Sequence, residues 1–188
     1  ECAKVCPSHS IEMVGNYMTV EEAFKVVARD VPFYRNTGGG VTISGGEPLQ
    51  QWQWVLALFK TCKQAGFHTA LDTTGYCKWE YMRRVLEYVD LILFDIKHMD
   101  SERFKVKCGV SNELILENLE KAAGMCTVWL RIPLIPNYND SETNLRLVAE
   151  LASRTKVDRV SLLPYHEYGK QKYVRLGREY SFSEAAIL

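Results

Sequence analysis

The stretch "DLILFDIKH", Asp90 to His98, is a short apolar run that ends in charged residues. Successive side chains of a β-strand point to opposite faces, so Asp95 and Lys97 would point the same way. The stretch therefore predicts a buried strand that presents an acid and a base together at its carboxyl end. Such a pair is either a structural ion pair or part of a functional site.

Strand and helix patterns alternate on both sides of this stretch. Four further runs have the composition of strands, namely "GVTIS", "FHTALDT", "TVWLRIP" and "RVSLLPY". Helical patterns run from Thr19 to about Phe33, Leu49 to Ala65, Lys78 to Tyr88, Asn112 to Ala123 and Ser141 to Arg154. This alternation is typical of βαβ units and a parallel sheet. Five units do not close an eight-stranded barrel, so we expect an open or partial one.

Length and composition are those of an ordinary globular protein. The 188 residues carry 23 Lys and Arg against 23 Asp and Glu, a net charge of zero. Nothing in this balance directs the molecule to nucleic acid or to an anionic membrane, and we expect neither as a partner. No secretory signal precedes the six cysteines, so we expect a cytoplasmic protein without a disulfide framework. The chain begins with Glu1 and has no terminating signal, so we expect a piece of a longer protein.

Polar and charged residues follow each predicted strand. In parallel α/β folds, chemistry gathers at the carboxyl ends of the strands, so these residues are candidates for a site. They are Gly45, Gly46, Glu47, Asp72, Asp95, Lys97, Arg131 and His166. Each has a structural alternative: a buried-strand arginine is often part of an ion pair, and a lone histidine is often a surface-loop residue.

Five motifs, in this order and spacing, resemble one known family. They are "SGGEPL", "LDTTG", "LFDIKH", "LRIPLIPNYND" and "LLPYHEYGKQKY". The family is the radical S-adenosylmethionine activating enzymes of glycyl radical enzymes, which includes the pyruvate formate-lyase activating enzyme. The resemblance implies a partial (β/α) barrel of the radical S-adenosylmethionine type, with parallel strands, outer helices and the first β/α unit missing.

The resemblance also implies roles for the candidate residues. The segment Gly45 to Glu47 resembles the stretch that holds the methionyl amino group, because bare backbone lets carbonyls approach a ligand and a carboxylate suits an ammonium. Asp72 resembles an aspartate near the methionyl carboxylate, where a monovalent cation can bridge. Asp95 and Lys97 resemble the pair that grips the ribose and the carboxylate. Arg131 resembles an arginine at the rim of the cofactor, and His166 resembles a histidine that packs beside the adenosine.

An anion-binding glycine loop is the competing interpretation of Gly45 and Gly46. It fits badly, because the glycines lack P-loop spacing and no Lys-Ser/Thr follows them. A carboxylate, Glu47, follows instead.

The family's catalytic [4Fe–4S] cluster is held by a CxxxCxxC loop, which this chain lacks. We therefore expect the chain alone to be inactive, with no catalytic residue of its own. The opening "ECAKVCP" instead matches the end of a ferredoxin-type cysteine run. The resemblance implies that residues 1–15 are the remnant of a ferredoxin-type 4Fe-4S insert, with Cys2 and Cys6 as auxiliary-cluster ligands in the intact protein only. Residues 16–188 would be the barrel core, truncated at both ends.

For the intact protein, the resemblance implies reductive cleavage of S-adenosylmethionine and formation of a glycyl radical on a partner enzyme. It also implies flavodoxin or ferredoxin as electron donor. The segment "GKQKYVRLGRE" either docks such an acidic donor or is a solvated loop. Two alternatives stay open: a radical enzyme acting on a small molecule, and a non-catalytic domain that binds a nucleotide or a partner.

Overall fold

The computed structural model describes residues 2–8, 10, 11, 13 and 15–180. It contains one sheet of five parallel strands, numbered in chain order with each strand next to its sequence neighbour. The strands are β1 (Gly40–Ile43), β2 (His68–Thr73), β3 (Leu91–Asp95), β4 (Thr127–Leu134) and β5 (Arg159–Pro164). All five strands predicted from the sequence are present, and the predicted parallel sheet is confirmed.

The helices connect successive strands. They are α1 (Val20–Val27), α2 (Val31–Thr37), α3 (Trp52–Gln64), α4 (Trp79–Leu86), α5 (Ser101–Cys108), α6 (Glu113–Ala122), α7 (Glu142–Thr155) and α8 (Lys170–Arg175). Short 3₁₀ turns, Ala28–Asp30 and Pro48–Gln51, precede α2 and α3. The first helix begins at a capping box, in which the Thr19 hydroxyl accepts from the Glu22 N–H and the Thr19 N–H donates to the Glu22 carboxylate.

One predicted helix differs from the structure, and two helices, α5 and α8, are not predicted from the sequence. The single helix expected from Thr19 to Phe33 is interrupted before Pro32, because proline has no N–H to donate and is tolerated only in a first helical turn. Helix α5 is not predicted, because it buries only Phe104 and so shows little apolar periodicity. Its start signal is the Asp100 side chain, which accepts from the Arg103 N–H at 2.9 Å.

The core lies between the sheet and its helices. Ile92 and Phe94 of β3 are fully buried, and so are Leu130 and Ile132 of β4. The odd-numbered residues of β3 lie on the other face and are only half-buried. A sheet whose helices cover one face while its other face stays partly open is the partial barrel that was expected.

Helix α1 belongs to a second, smaller apolar cluster beside β1. Ala23 of α1 packs there with Val41 of β1 and with Leu58 and Cys62 of α3. The rings of Phe24 and Phe67 stack with their centroids 5.8 Å apart. This cluster fixes the strand that carries the glycine-rich turn. None of the helices in the described ranges qualifies as a membrane-spanning segment.

Gly75, in the turn after β2, is confined by both backbone and packing. Its φ of +72° is left-handed, and a Cβ atom there would overlap the Phe94 ring. We predict that Gly75→Ala lowers the free energy of unfolding by about 2–4 kcal/mol, the sum of left-handed strain and overpacking. Urea unfolding monitored by circular dichroism measures the change.

Gly109 provides the matched control for this prediction. It has a similar φ of +78°, but a Cβ there would meet nothing within 4 Å. Gly109→Ala should therefore cost only the strain, about 1–2 kcal/mol. Equal losses in the two variants would show that contact with Phe94 does not restrict the turn.

Candidate functional site

A cluster of charged side chains lies at the carboxyl edge of the sheet. Asp72 is near the end of β2, Asp95 ends β3, and Arg131 lies on β4 in direct register with Asp95. Residues in register on neighbouring parallel strands project from the same face. All three therefore lie on the open, inner face of the partial barrel.

Arg131 bridges the two aspartates. Its Nε donates to Asp95 Oδ1 at 2.9 Å, and one terminal nitrogen donates to Asp72 Oδ1 at 2.6 Å. The side chains are 24% exposed for Arg131 and 19% for each aspartate. Partial burial lowers the pKa of Arg131, but hydrogen bonds and attraction from Asp95 and Asp72 outweigh it, so the net pKa shift is upward. The guanidinium therefore stays charged and holds neighbouring strands together.

The other carboxylate oxygen of each aspartate, Oδ2, faces a different side chain. Ser44 Oγ donates to Asp72 Oδ2 at 2.8 Å, which joins the end of β1 to the cluster. Lys97 Nζ lies 3.8 Å from Asp95 Oδ2, beyond hydrogen-bond distance, and its side chain is 34% exposed. The Lys97 ammonium is thus held near the cluster by charge while its donors can still reach a ligand.

The Glu47 carboxylate is satisfied within the protein. Oε1 accepts from the Leu49 N–H and the Thr73 hydroxyl, and Oε2 accepts from the N–H and hydroxyl of Thr74 at 2.9 and 2.7 Å. A carboxylate offers about four acceptor positions, so this one is fully used. Glu47 joins the turn after β1 to the end of β2.

The backbone of Gly45 and Gly46 is left facing open space. Both residues are exposed, and a Cβ at either position would meet nothing within 4 Å. Gly45 has a φ of +130°, which residues with a side chain rarely adopt. The polar groups that this turn offers to a ligand are therefore backbone groups, while Glu47 fixes their position.

His166 follows β5 and lies toward the same edge. It is exposed, and its ring packs against Tyr168 with centroids 4.4 Å apart. The structure thus brings Asp72, Asp95, Lys97 and Arg131 into one cluster, and the ring contact of His166 is with Tyr168.

The two amino-terminal cysteines are not joined. Cys2 is exposed, and Cys6 Sγ lies 3.4 Å from Ser10 Oγ and 3.6 Å from Ser8 Oγ. Hydrogen bonds from Ser10 and then Ser8 lower the pKa of Cys6 to about 6. Burial raises the pKa values of the Cys62, Cys77 and Cys126 thiols, most strongly that of Cys77, to about 12.

Several buried polar residues that hold the turns after the strands were not predicted from the sequence. The Asn118 amide nitrogen donates to the carbonyls of Gly75 and Cys77 at 2.7 and 2.8 Å. Buried His98 has Nε2 3.1 Å from the Tyr138 carbonyl, and its Nδ1 accepts from the Asp100 N–H. Burial is the largest cause that lowers the pKa of His98. Because Nδ1 accepts an N–H and Nε2 faces a carbonyl, these two contacts place the proton of the neutral ring on Nε2.

The side chains at the carboxyl edge of the sheet suit a ligand that carries both a positive and a negative charge. Carboxylates and backbone carbonyls accept from ammonium and hydroxyl groups, and Lys97 donates to a carboxylate. The charges are fixed by mutual contacts before any ligand arrives. This arrangement favours a zwitterionic ligand with hydroxyl groups over a simple anion.

We predict that Arg131→Met lowers the free energy of unfolding by about 2–3 kcal/mol, because it leaves two partly buried carboxylates without their common partner. Arg154→Met is the matched control. Arg154 forms an ion pair of the same 2.6 Å length with Glu120, but with side chains 66% and 48% exposed, and should cost about 0–1 kcal/mol. Urea unfolding measures both, and equal losses would contradict a stabilising role of the bridge.

Comparisons with known proteins agree with this geometry. The family model for the radical SAM superfamily matches residues 4–147. The isethionate sulfite-lyase activating enzyme of Oleidesulfovibrio alaskensis is 40% identical over 99% of the chain and 61% of its own length. The choline trimethylamine-lyase activating enzyme of the same organism is 43% identical over 93% of the chain and 58% of its own length.

A solved structure matches the fold closely. A domain of the pyruvate-formate lyase-activating enzyme from Bacteroides vulgatus is 36% identical, with a TM-score of 0.64, over 73% of this chain and 92% of that domain. By contrast, the chain spans only about three fifths of the two curated relatives. The parallel partial barrel, the charged edge and these matches together show that the chain belongs to the radical SAM superfamily.

Proposed function

We propose that the chain is the S-adenosylmethionine-binding part of a glycyl radical enzyme activating enzyme. The observation that carries the proposal is the cluster at the carboxyl edge, where Arg131 bridges Asp72 and Asp95 and Lys97 stays partly free. S-adenosylmethionine has a methionyl ammonium, a carboxylate and two ribose hydroxyls, which match these groups. The relatives described above are all named as activating enzymes of this kind.

Each candidate residue receives a role in this proposal. The backbone of Gly45 and Gly46, fixed by Glu47, takes the methionyl ammonium. Lys97 binds the carboxylate and Asp95 the ribose. The remaining contacts are Asp72 near the carboxylate, where a monovalent cation bridges, Arg131 at the rim and His166 beside the adenosine.

The iron–sulfur cluster of the superfamily does not fit the residues of this chain. No three of the six cysteines have C-x3-C-x2-C spacing. Over the described residues, no group of three or more His, Cys, Asp or Glu could hold a metal ion. We therefore assign no electron-transfer step to this chain, whose own residues bind and orient the substrate.

An auxiliary cluster involving Cys2 and Cys6 stays a proposal, as does the division at residue 15 between a ferredoxin-type remnant and the barrel core. Two thiols are half of a four-thiolate site. The exposure of Cys2 and the lowered pKa of Cys6 are compatible with ligation.

The partners belong to the proposal as well. The protein substrate would be a glycyl radical enzyme, and flavodoxin or ferredoxin would supply the electron in the cytoplasm. Helix α8 and the residues after it offer exposed positive charge to an acidic donor, from Lys172, Arg175 and Arg178. Lys170 is partly neutralised, since its Nζ lies 3.3 Å from Glu167.

The direct test uses the whole enzyme that contains this chain, carrying its cluster under anaerobic conditions. Incubation with S-adenosylmethionine, reduced flavodoxin and a glycyl radical enzyme should produce a glycyl radical detected by electron paramagnetic resonance. Isethionate sulfite-lyase and choline trimethylamine-lyase are the first partners to try, given the relatives' names. Cleavage without any protein radical would favour a small-molecule substrate, and equal affinity for S-adenosylmethionine and ATP would favour a non-catalytic nucleotide-binding domain.

We further predict that Lys97→Ala weakens S-adenosylmethionine binding about 10- to 100-fold, the usual range for a lost charge-assisted hydrogen bond, without changing cluster content. Isothermal titration calorimetry and iron analysis of the whole enzyme measure the two quantities. Lys105→Ala, an exposed lysine on α5, is the control and should bind as the parent does. Unchanged affinity in Lys97→Ala would remove this residue from the site.

A further inference from the structure

The pairing of β3 with β4 stops just where the site begins. The last backbone hydrogen bond runs from the Ile96 N–H to the Arg131 carbonyl at 3.0 Å. In this parallel register the next bond would need the N–H of Pro133, which proline lacks. The backbone at Lys97 therefore lies beyond the part of the sheet that the ladder can hold.

Beyond the last ladder bond, the buried side chain of Asn139 connects the two strands. Asn139 Nδ2 donates to the carbonyls of Lys97 and Pro133, both at 2.7 Å, and its Oδ1 accepts from the Ile135 N–H at 2.7 Å. Asn139 is fully buried. Both donors and the carbonyl oxygen are thus used, and one side chain joins the end of β3 to the end of β4.

The turn that places Asn139 is itself specialised. Asn137 adopts a left-handed φ of 61°, which asparagine tolerates better than most residues with a side chain. The N–H groups of Tyr138 and Asn139 both donate to the Ile135 carbonyl, at 3.1 and 3.2 Å. The chain therefore folds back after β4 and directs the Asn139 amide toward β3.

Further side chains hold the backbone that follows Lys97. Asn112 Nδ2 donates to the carbonyls of His98 and Met99, both at 2.9 Å. Asn144 accepts from the Met99 N–H at 3.0 Å and donates to the Asn139 carbonyl at 2.7 Å. The carbonyl of Lys97 itself is bound by Asn139.

We propose that Asn139 is a positioning residue for Lys97: it fixes the backbone from which Lys97 reaches the ligand, and so contributes to binding without touching the ligand. This inference rests on the proposed function, in which Lys97 binds the substrate carboxylate. The contact between Lys97 Nζ and Asp95 Oδ2 is 3.8 Å long, so it is an ion pair without a hydrogen bond. The position of the ammonium therefore depends on where the Lys97 backbone is anchored, and Asn139 binds that backbone at the Lys97 carbonyl.

The test is a double-mutant cycle in the whole enzyme carrying its cluster, with S-adenosylmethionine affinity measured by calorimetry. Asn139→Ala should weaken binding about 2- to 10-fold, the range for lost neutral hydrogen bonds. In a Lys97→Ala background the same change should have no further effect, because the residue it positions is gone. An undiminished loss in that background would overturn the inference, and so would parental affinity in Asn139→Ala.

A matched control separates positioning from general loss of stability. Thr69 is also fully buried, and its hydroxyl donates to the Tyr88 carbonyl at 2.6 Å near the amino end of β2, away from the site. Thr69→Val should lower the urea midpoint and leave affinity unchanged. A loss of affinity in Thr69→Val equal to that in Asn139→Ala would reduce Asn139 to a structural role. If Asn139→Ala does not fold, Asn139→Ser is carried through the same cycle with the same criteria.

The cycle also tells the two proposals apart. If Lys97→Ala binds S-adenosylmethionine as tightly as the parent, the proposed role of Lys97 is wrong and the inference falls with it. If Lys97→Ala weakens binding and Asn139→Ala does not, only the inference about Asn139 is wrong.

Discussion

Two carboxylates on neighbouring strands share one guanidinium, and the candidate site is built around that contact. Asp72 and Asp95 would repel one another if they stood alone on the half-buried inner face. Arg131 bonds to both, at 2.6 and 2.9 Å, and so allows two negative charges to stand side by side. The remaining oxygens can then be shared with Ser44, with Lys97 and, in the proposed function, with a ligand.

Different groups fix the site residues within the sheet and those in its loops, and the difference follows from hydrogen-bonding rules. Backbone ladders fix Asp72, Asp95 and Arg131, which lie within strands. Groups beyond the ladders need side chains to fix them, because an exposed turn has no regular partner. Glu47 is bound by Thr73 and Thr74, and the backbone at Lys97 is held by Asn139. These two sets of side-chain hydrogen bonds therefore fix the turns that would meet a ligand to the end of the sheet.

Much of the fold can be predicted from the sequence, for physical reasons that differ between elements. The alternation of short apolar runs with amphipathic stretches predicts all five strands and their parallel direction. Helix α5 is not predicted because a helix that buries one side chain has little periodicity, and α8 buries none among the described residues. The charged residues at the edge are found because each follows a strand, although their sequence positions do not say which of them touch.

The sequence alone determines which residue types stand at the ends of the strands, since a strand's length and direction follow from its own apolar pattern. It also supplies the motifs by which the superfamily is recognised. Only the tertiary structure decides that Arg131 contacts both aspartates, that Glu47 is satisfied internally, and that Asn139 joins the carbonyls of Lys97 and Pro133 beyond the last ladder bond. The two contacts of Arg131, for example, join residues 36 and 59 positions apart. Such pairings depend on strand order and register, which local periodicity does not encode.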